Sequence, residues 1–191
     1  VDGVLVPLFS HVPAVHDRVA GRAGALTETL VGMRALAAAG VSVEIEIPLL
    51  SKRLQDLSAL VDLAHRAVPS LRAARFFLPT TPLPPALAPP RWSASALPQA
   101  LARCREIKVG VSLRGTDAIP LCALGGRDDL YDAYRFNPRG RAPRAPDATF
   151  AKACEGCVAK KQCPGIATAY AAANGDADIA PFKKRPASMY A

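Results

Sequence analysis

The chain has 191 residues, a formal net charge of +8, 50% hydrophobic residues, 18 prolines and five cysteines. That length can bury roughly two-thirds of the unfolded surface, and the apolar fraction excludes wholesale disorder. No apolar run approaches the ~20 residues of a membrane-spanning helix, and an odd number of cysteines argues against a complete disulfide framework.

Residues 3–9 form a nearly continuous apolar run, which suits a strand covered on both faces, with Pro7 near its end. The chain starts on this strand without a methionine or a secretory signal. The expectation is that upstream elements are missing or were removed by processing. Residues 24–39 read as a helix, with Leu26, Leu30, Met33 and Ala37 on one face and Gly40 as its stop. Residues 41–47 alternate strictly and carry β-branched side chains, hence a strand closed by Pro48. A second amphipathic helix is predicted over 52–68, striped by Leu54, Leu57, Val61, Ala64 and Val68, and a third strand over 73–78. Repeated βα units imply parallel strands in an α/β layer or barrel.

Seven prolines between 79 and 98 exclude helix and central strand, so the main domain boundary is expected near residue 92. Residues 93–105 read as a short helix with Leu97, Leu101 and Cys104 on one side. The alternation of Ile107, Val109 and Val111, a turn at 114–117 and an apolar stretch at 118–123 predict a β-hairpin. A short helix is expected near 165–173.

Cys154, Cys157 and Cys163 give C-x2-C-x5-C, and Pro164 and Gly165 allow a sharp turn after the last thiol. Three thiols within ten residues can wrap one metal centre, with Cys122 as a fourth ligand. Four thiolates suit a [4Fe–4S] cluster or a tetrahedral zinc. Four-thiol zinc motifs usually come as two short pairs. One pair, one offset thiol and one distant thiol therefore favour the cluster over zinc. Cys104 sits on an apolar helix face and reads as a core thiol.

The thiol pattern, with Cys104, Gly115 and Cys122 ahead of it, resembles the C-terminal cluster domain of radical S-adenosylmethionine enzymes of the SPASM and twitch type. The resemblance departs at Ala167, where the family has a further cysteine, and near Phe182, where the last one would stand. It therefore implies a single auxiliary [4Fe–4S] cluster on Cys122, Cys154, Cys157 and Cys163, with Cys104 as a spare. Ser10, then His16-Asp17-Arg18, Gly21 and Gly24 follow the order of the family's half-barrel. The implied architecture is a partial (β/α) TIM-like barrel over 1–92 and a cysteine-rich hairpin and helix cluster domain over 93–191. The C-x3-C-x2-C that cleaves S-adenosylmethionine is not among these residues. By resemblance it belongs upstream, and the fragment by itself is not expected to cleave that cofactor. The complete chain would act on a peptide or small-molecule substrate.

Ser10 closes a parallel strand, where α/β folds place ligands. By resemblance it faces S-adenosylmethionine, and its alternative is a turn cap. Glu44 and Glu46 share one side of their strand, either in a cavity facing cofactor or substrate or on an exposed edge. His11 and His16 fall in the loop after Ser10 and read as surface residues, and His65 as a solvated helix residue. Residues 139–191 hold nine Lys or Arg against four Asp or Glu. Arg139, Arg141, Arg144, Lys160 and Lys161 would offset the charge of a thiolate cluster. A basic surface for nucleic acid is the rival, but only Phe136, Phe150 and Tyr170 interleave with those charges, so no nucleic-acid partner is expected. A thiol-bound cluster implies a reducing compartment, hence the cytoplasm. The alternative function is a zinc or iron–sulfur interaction module without catalysis.

Overall fold

The computed structural model describes residues 2–51, 56–79, 91, 96–132 and 147–186. The prolines from 82 to 90, Leu54, Phe136 and the arginines at 139, 141 and 144 lie outside the described residues. The chain falls into two compact units, one of residues 1–77 and 96–111, the other of 78–95 and 112–191. These units divide the chain otherwise than at residue 92, because the helix after the proline-rich stretch counts with the first unit.

The first unit is an α/β layer. Strand β1 (Gly3–Pro7) leads through helices α1 (Pro13–Ala20) and α2 (Ala25–Ala38) to β2 (Ser42–Pro48). Helix α3 (Leu57–Ala67), β3 (Ala73–Phe77), α4 (Leu97–Glu106) and β4 (Gly110–Leu113, of which residues 112 and 113 count with the second unit) follow. The strands lie in the order β1-β2-β3-β4, and the pairings of β2 with β1 and β3 are parallel, with Val4 opposite Val43 and Ile45 opposite Ala74. Each connection carries a helix, as parallel neighbours require. On β2, Val43, Ile45 and Ile47 are buried, while Glu44 and Glu46 share the opposite, half-buried side. Burial of Leu57, Leu60, Val61 and Ala64 gives α3 its apolar stripe, and Asp56 caps it by accepting the Ala59 N–H at 3.0 Å. On α4, Leu97, Ala100 and Cys104 are buried where Leu101 is only half-buried. Arg103 ties this helix to α3 by donating Nε–H to Asp62 at 2.7 Å.

Helix α1 stands where a loop was expected. Pro13 opens it, a position where the missing N–H costs nothing. His16 is consequently buried, with only 2% of its surface exposed, and its ring tilts against Phe9 with centroids 5.3 Å apart. Asp17 spans the α1–α2 turn. Its carboxylate accepts the N–H groups of Gly24 at 2.6 Å and Leu26 at 2.9 Å, capping α2, which Gly24 enters at φ 78°.

The expected hairpin over 107–123 is not formed. Residues 110–113 are β4, set beside β3 in the sheet, and the apolar stretch that follows becomes short 3-10 turns at Gly115–Asp117 and Leu121–Leu124. Pro120 has no N–H to give a ladder, Ala118 takes φ 52°, and Ala118, Ile119 and Leu121 are buried in the second unit. Tyr131, fully buried, donates its O–H to the Ile119 carbonyl. The hairpin-like element lies further on: β5 (Ala148–Thr149) pairs antiparallel with β6 (Ile166–Ala167), and helix α5 (Thr168–Asn174) follows. No helix of the described residues is long and apolar enough to cross a membrane.

Burial holds His16 neutral by lowering its pKa below 6.5, against the pull of Asp17. The unfolded chain then binds more protons than the folded one below pH 6.5, so stability is full above that value and falls as pH drops through it. Denaturant midpoints measured from pH 7.5 down to 5.5 should decline, and His16→Phe should flatten that decline. Asp17 acts in the same sense in a lower pH range: the N–H groups of Leu26 and Gly24 hold its pKa below 3.8, so its contribution is also lost as pH falls. Asp17→Ala should therefore lower Tm at neutral pH, with the difference from wild type closing as pH falls below 3.8 and the wild-type carboxylate is protonated.

Candidate metal centre

The second unit brings the three clustered thiols into one loop. The two-residue ladder of β5 and β6 closes residues 150–165, which contain Cys154, Cys157 and Cys163. Inside the loop the backbone runs in consecutive turns. The Cys154 N–H donates to Ala151 O at 2.9 Å, Cys157 N–H to Cys154 O at 3.1 Å, and Cys163 N–H to Ala159 O at 3.0 Å. Turns of this kind suit a sequence of small residues between thiols, because they leave side chains facing one side and backbone N–H groups near them. Gly165 ends the loop at φ 96°, and a Cβ there would stand 2.9 Å from Thr149 O. The loop can therefore reach β6 only with glycine at that position.

Cys122 arrives from a distant segment, on the 3-10 turn Leu121–Leu124. It lines the same cleft as Cys154, Cys157 and Cys163, with about 340 Å³ of atom-free space when its open mouth is included. The remaining wall is mainly apolar, with Phe150, Ile166, Ile179 and Phe182 contributing. A backbone bond from Val158 N–H to Phe182 O at 3.0 Å holds the C-terminal segment against the loop. Lys160 also lines the cleft, its Nζ 5.4 Å from the Phe150 ring centroid. All five cysteines are free thiols.

Desolvation dominates the thiol acidities. Burial pushes Cys163 up to about 11 and raises Cys122 and Cys154 from their ordinary values. Backbone donors work against this. Leu121 N–H lies 3.5 Å from Cys163 Sγ, and N–H groups of Gly165 and Ala180 favour the thiolates of Cys163 and Cys122. Lys160 does the same for Cys154. Such N–H···S contacts are among the means by which a protein adjusts a thiolate-bound centre.

Four thiols on one cleft are a donor set of the kind that a [4Fe–4S] cluster or a zinc takes. Among the described residues no three Cys, His, Asp or Glu side chains are gathered closely enough to hold one metal ion. Zinc needs four thiolates converging at about 2.3 Å on one point. A [4Fe–4S] cluster takes each thiolate on a separate iron, so its four ligands line a space instead of meeting at its centre.

Other residues singled out by the sequence stand elsewhere. Cys104 is wholly buried on α4 in the first unit, does not line the cleft, and is pushed up to about 12 by burial. Ser10 is buried, and its hydroxyl oxygen accepts the Val12 N–H at 3.1 Å, the turn-capping role. Glu44 pairs with Arg72 at 3.5 Å, and Glu46 is half-buried beside it on β2. His11 and His65 are half-buried rather than surface residues, each with a buried Nδ1 lacking a hydrogen-bond partner. Sequence reasoning missed the wall formed by Phe150, Ile179 and Phe182, for which the Pro181-Phe182 pair at the place of an absent cysteine was the one available signal. No family model, curated protein or solved structure matches the chain.

Gly165→Ala should cost about 1 to 3 kcal/mol through its left-handed backbone and the clash with Thr149. Thermal unfolding should show the loss.

Proposed function

We propose that Cys122, Cys154, Cys157 and Cys163 hold one [4Fe–4S] cluster, and that the chain is the C-terminal portion of a radical S-adenosylmethionine enzyme acting on a peptide or small-molecule substrate. The observation that carries the reading is the shared cleft: a thiol from residue 122 and three from one loop line a single space. The family assignment rests on the resemblance of the thiol order and of the Ser10 to Gly24 segment. In this reading the first unit is part of a (β/α) barrel, with Ser10 and Glu46 on the side that serves S-adenosylmethionine.

The chain's own residues have defined tasks. The four thiols give up their protons on binding metal. Leu121, Gly165 and Ala180 direct N–H groups at sulfur and spread its charge. Phe150, Ile166, Ile179 and Phe182 limit water at the site. When bound, the cluster supplies a one-electron redox centre. The radical itself would come from the C-x3-C-x2-C segment, which these residues do not include.

Anaerobic reconstitution with iron and sulfide tests the reading. Four irons and four sulfides per chain are expected, with a charge-transfer band at about 400 nm that dithionite bleaches. Cys→Ser at 122, 154, 157 or 163 should each abolish or destabilise the cluster, while Cys104→Ser should leave iron content unchanged. One zinc per chain and no visible band would overturn it in favour of a zinc-bearing interaction module. A preparation that also contains the C-x3-C-x2-C segment should yield 5′-deoxyadenosine from S-adenosylmethionine and dithionite, and failure to do so would remove the family assignment.

A further inference from the structure

The sequence offers several cations near the thiols, and the geometry separates them. Lys161 is exposed and does not line the cleft, and neither do the exposed Lys152, Lys183, Lys184 and Arg185. Lys160 is half-buried, lines the cleft beside Cys157 and Cys163, and keeps its ammonium over the face of Phe150, itself part of the wall. A cation held on an aromatic face is restrained, because leaving the ring forfeits the attraction of its quadrupole. It also acts electrostatically on Cys154 across a mainly apolar cleft, where Coulomb interactions are stronger than in water.

We infer that Lys160, seated on Phe150, is the positioning cation of the thiol cleft and sets the reduction potential of the centre bound there. The inference rests on the proposed cluster and adds what controls it. Four thiolates make the bound centre anionic, and one added electron makes it more so. A fixed positive charge at the rim therefore stabilises the reduced form more than the oxidised form and raises the potential. The Phe150 ring fixes the distance over which that charge acts, so the pair acts as a unit.

The test is a spectroelectrochemical titration of the reconstituted full chain, following the visible band against a series of poised potentials. Lys160→Met should lower the reduced-to-oxidised ratio at fixed poise about tenfold, which is 59 mV for one electron. Lys160→Arg should restore most of the wild-type value, and Phe150→Leu should give a smaller shift in the same direction. Lys161→Met should leave the potential unmoved. An unchanged potential in Lys160→Met at full iron content, or an equal shift in Lys161→Met, overturns the inference while leaving the cluster intact. Loss of the cluster in Lys160→Met, with Lys160→Arg and Lys161→Met still loaded, overturns it, because the ammonium would then retain the cluster instead of setting its potential. Loss in both Lys160 variants overturns it, since shape and not charge would be at issue. A wild-type chain that takes up no iron–sulfur cluster overturns the proposed function, and this inference with it.

Discussion

A thiol removed from water without a compensating charge keeps its proton, and a protonated thiol does not bind metal. The second unit is built around that conflict. Its cleft is walled by aromatic and aliphatic side chains, and burial raises the pKa of Cys122, Cys154 and Cys163. Deprotonation is therefore unfavourable until something positive enters. The backbone donors at Leu121, Gly165 and Ala180 and the ammonium of Lys160 reduce the penalty without removing it. While protonated, Cys122, Cys154 and Cys163 are poor nucleophiles, since the thiolate is the reactive form.

The same constraint explains why regular structure thins out here. A helix or strand occupies its N–H groups internally, leaving none for sulfur. Short 3-10 turns at Leu121–Leu124 and Lys152–Gly156 leave some donors free and present cysteines at irregular spacing. Rigidity comes from elsewhere: the β5–β6 ladder at the base of the loop, Tyr131 bonded to Ile119, and the Val158–Phe182 backbone bond.

Much of the first unit was legible because its signals are periodic. The alternation of Val43, Ile45 and Ile47 and the stripe of Leu57, Val61 and Ala64 name β2 and α3 without reference to anything distant. Helix α1 escaped because it is eight residues long and starts on a proline, and its one wholly buried side chain is a histidine, which periodicity does not count as core. The hairpin was misread for a related reason. Alternating Val109 and Val111 do belong to a strand region, but nothing local says that the partner is β3 and not residues 118–123. At the cleft, spacing singled out the four thiols that line it, since ligation chemistry is written in residue type. The wall and the Lys160–Phe150 contact depend on residues from 150 to 182 meeting in space, and sequence spacing carries no such information.

The separation of the thiols along the chain orders events during synthesis. The strands and helices of the α/β layer are all present once residue 113 has emerged. Cys122 follows soon after, yet its three companions lie more than thirty residues downstream, and Phe182, which closes the wall, later still. A nascent chain paused before residue 154 carries the residues of the α/β layer and only one of the four cleft thiols. The cleft that the four thiols line is consequently complete only late in synthesis, when residues 163 to 182 have emerged.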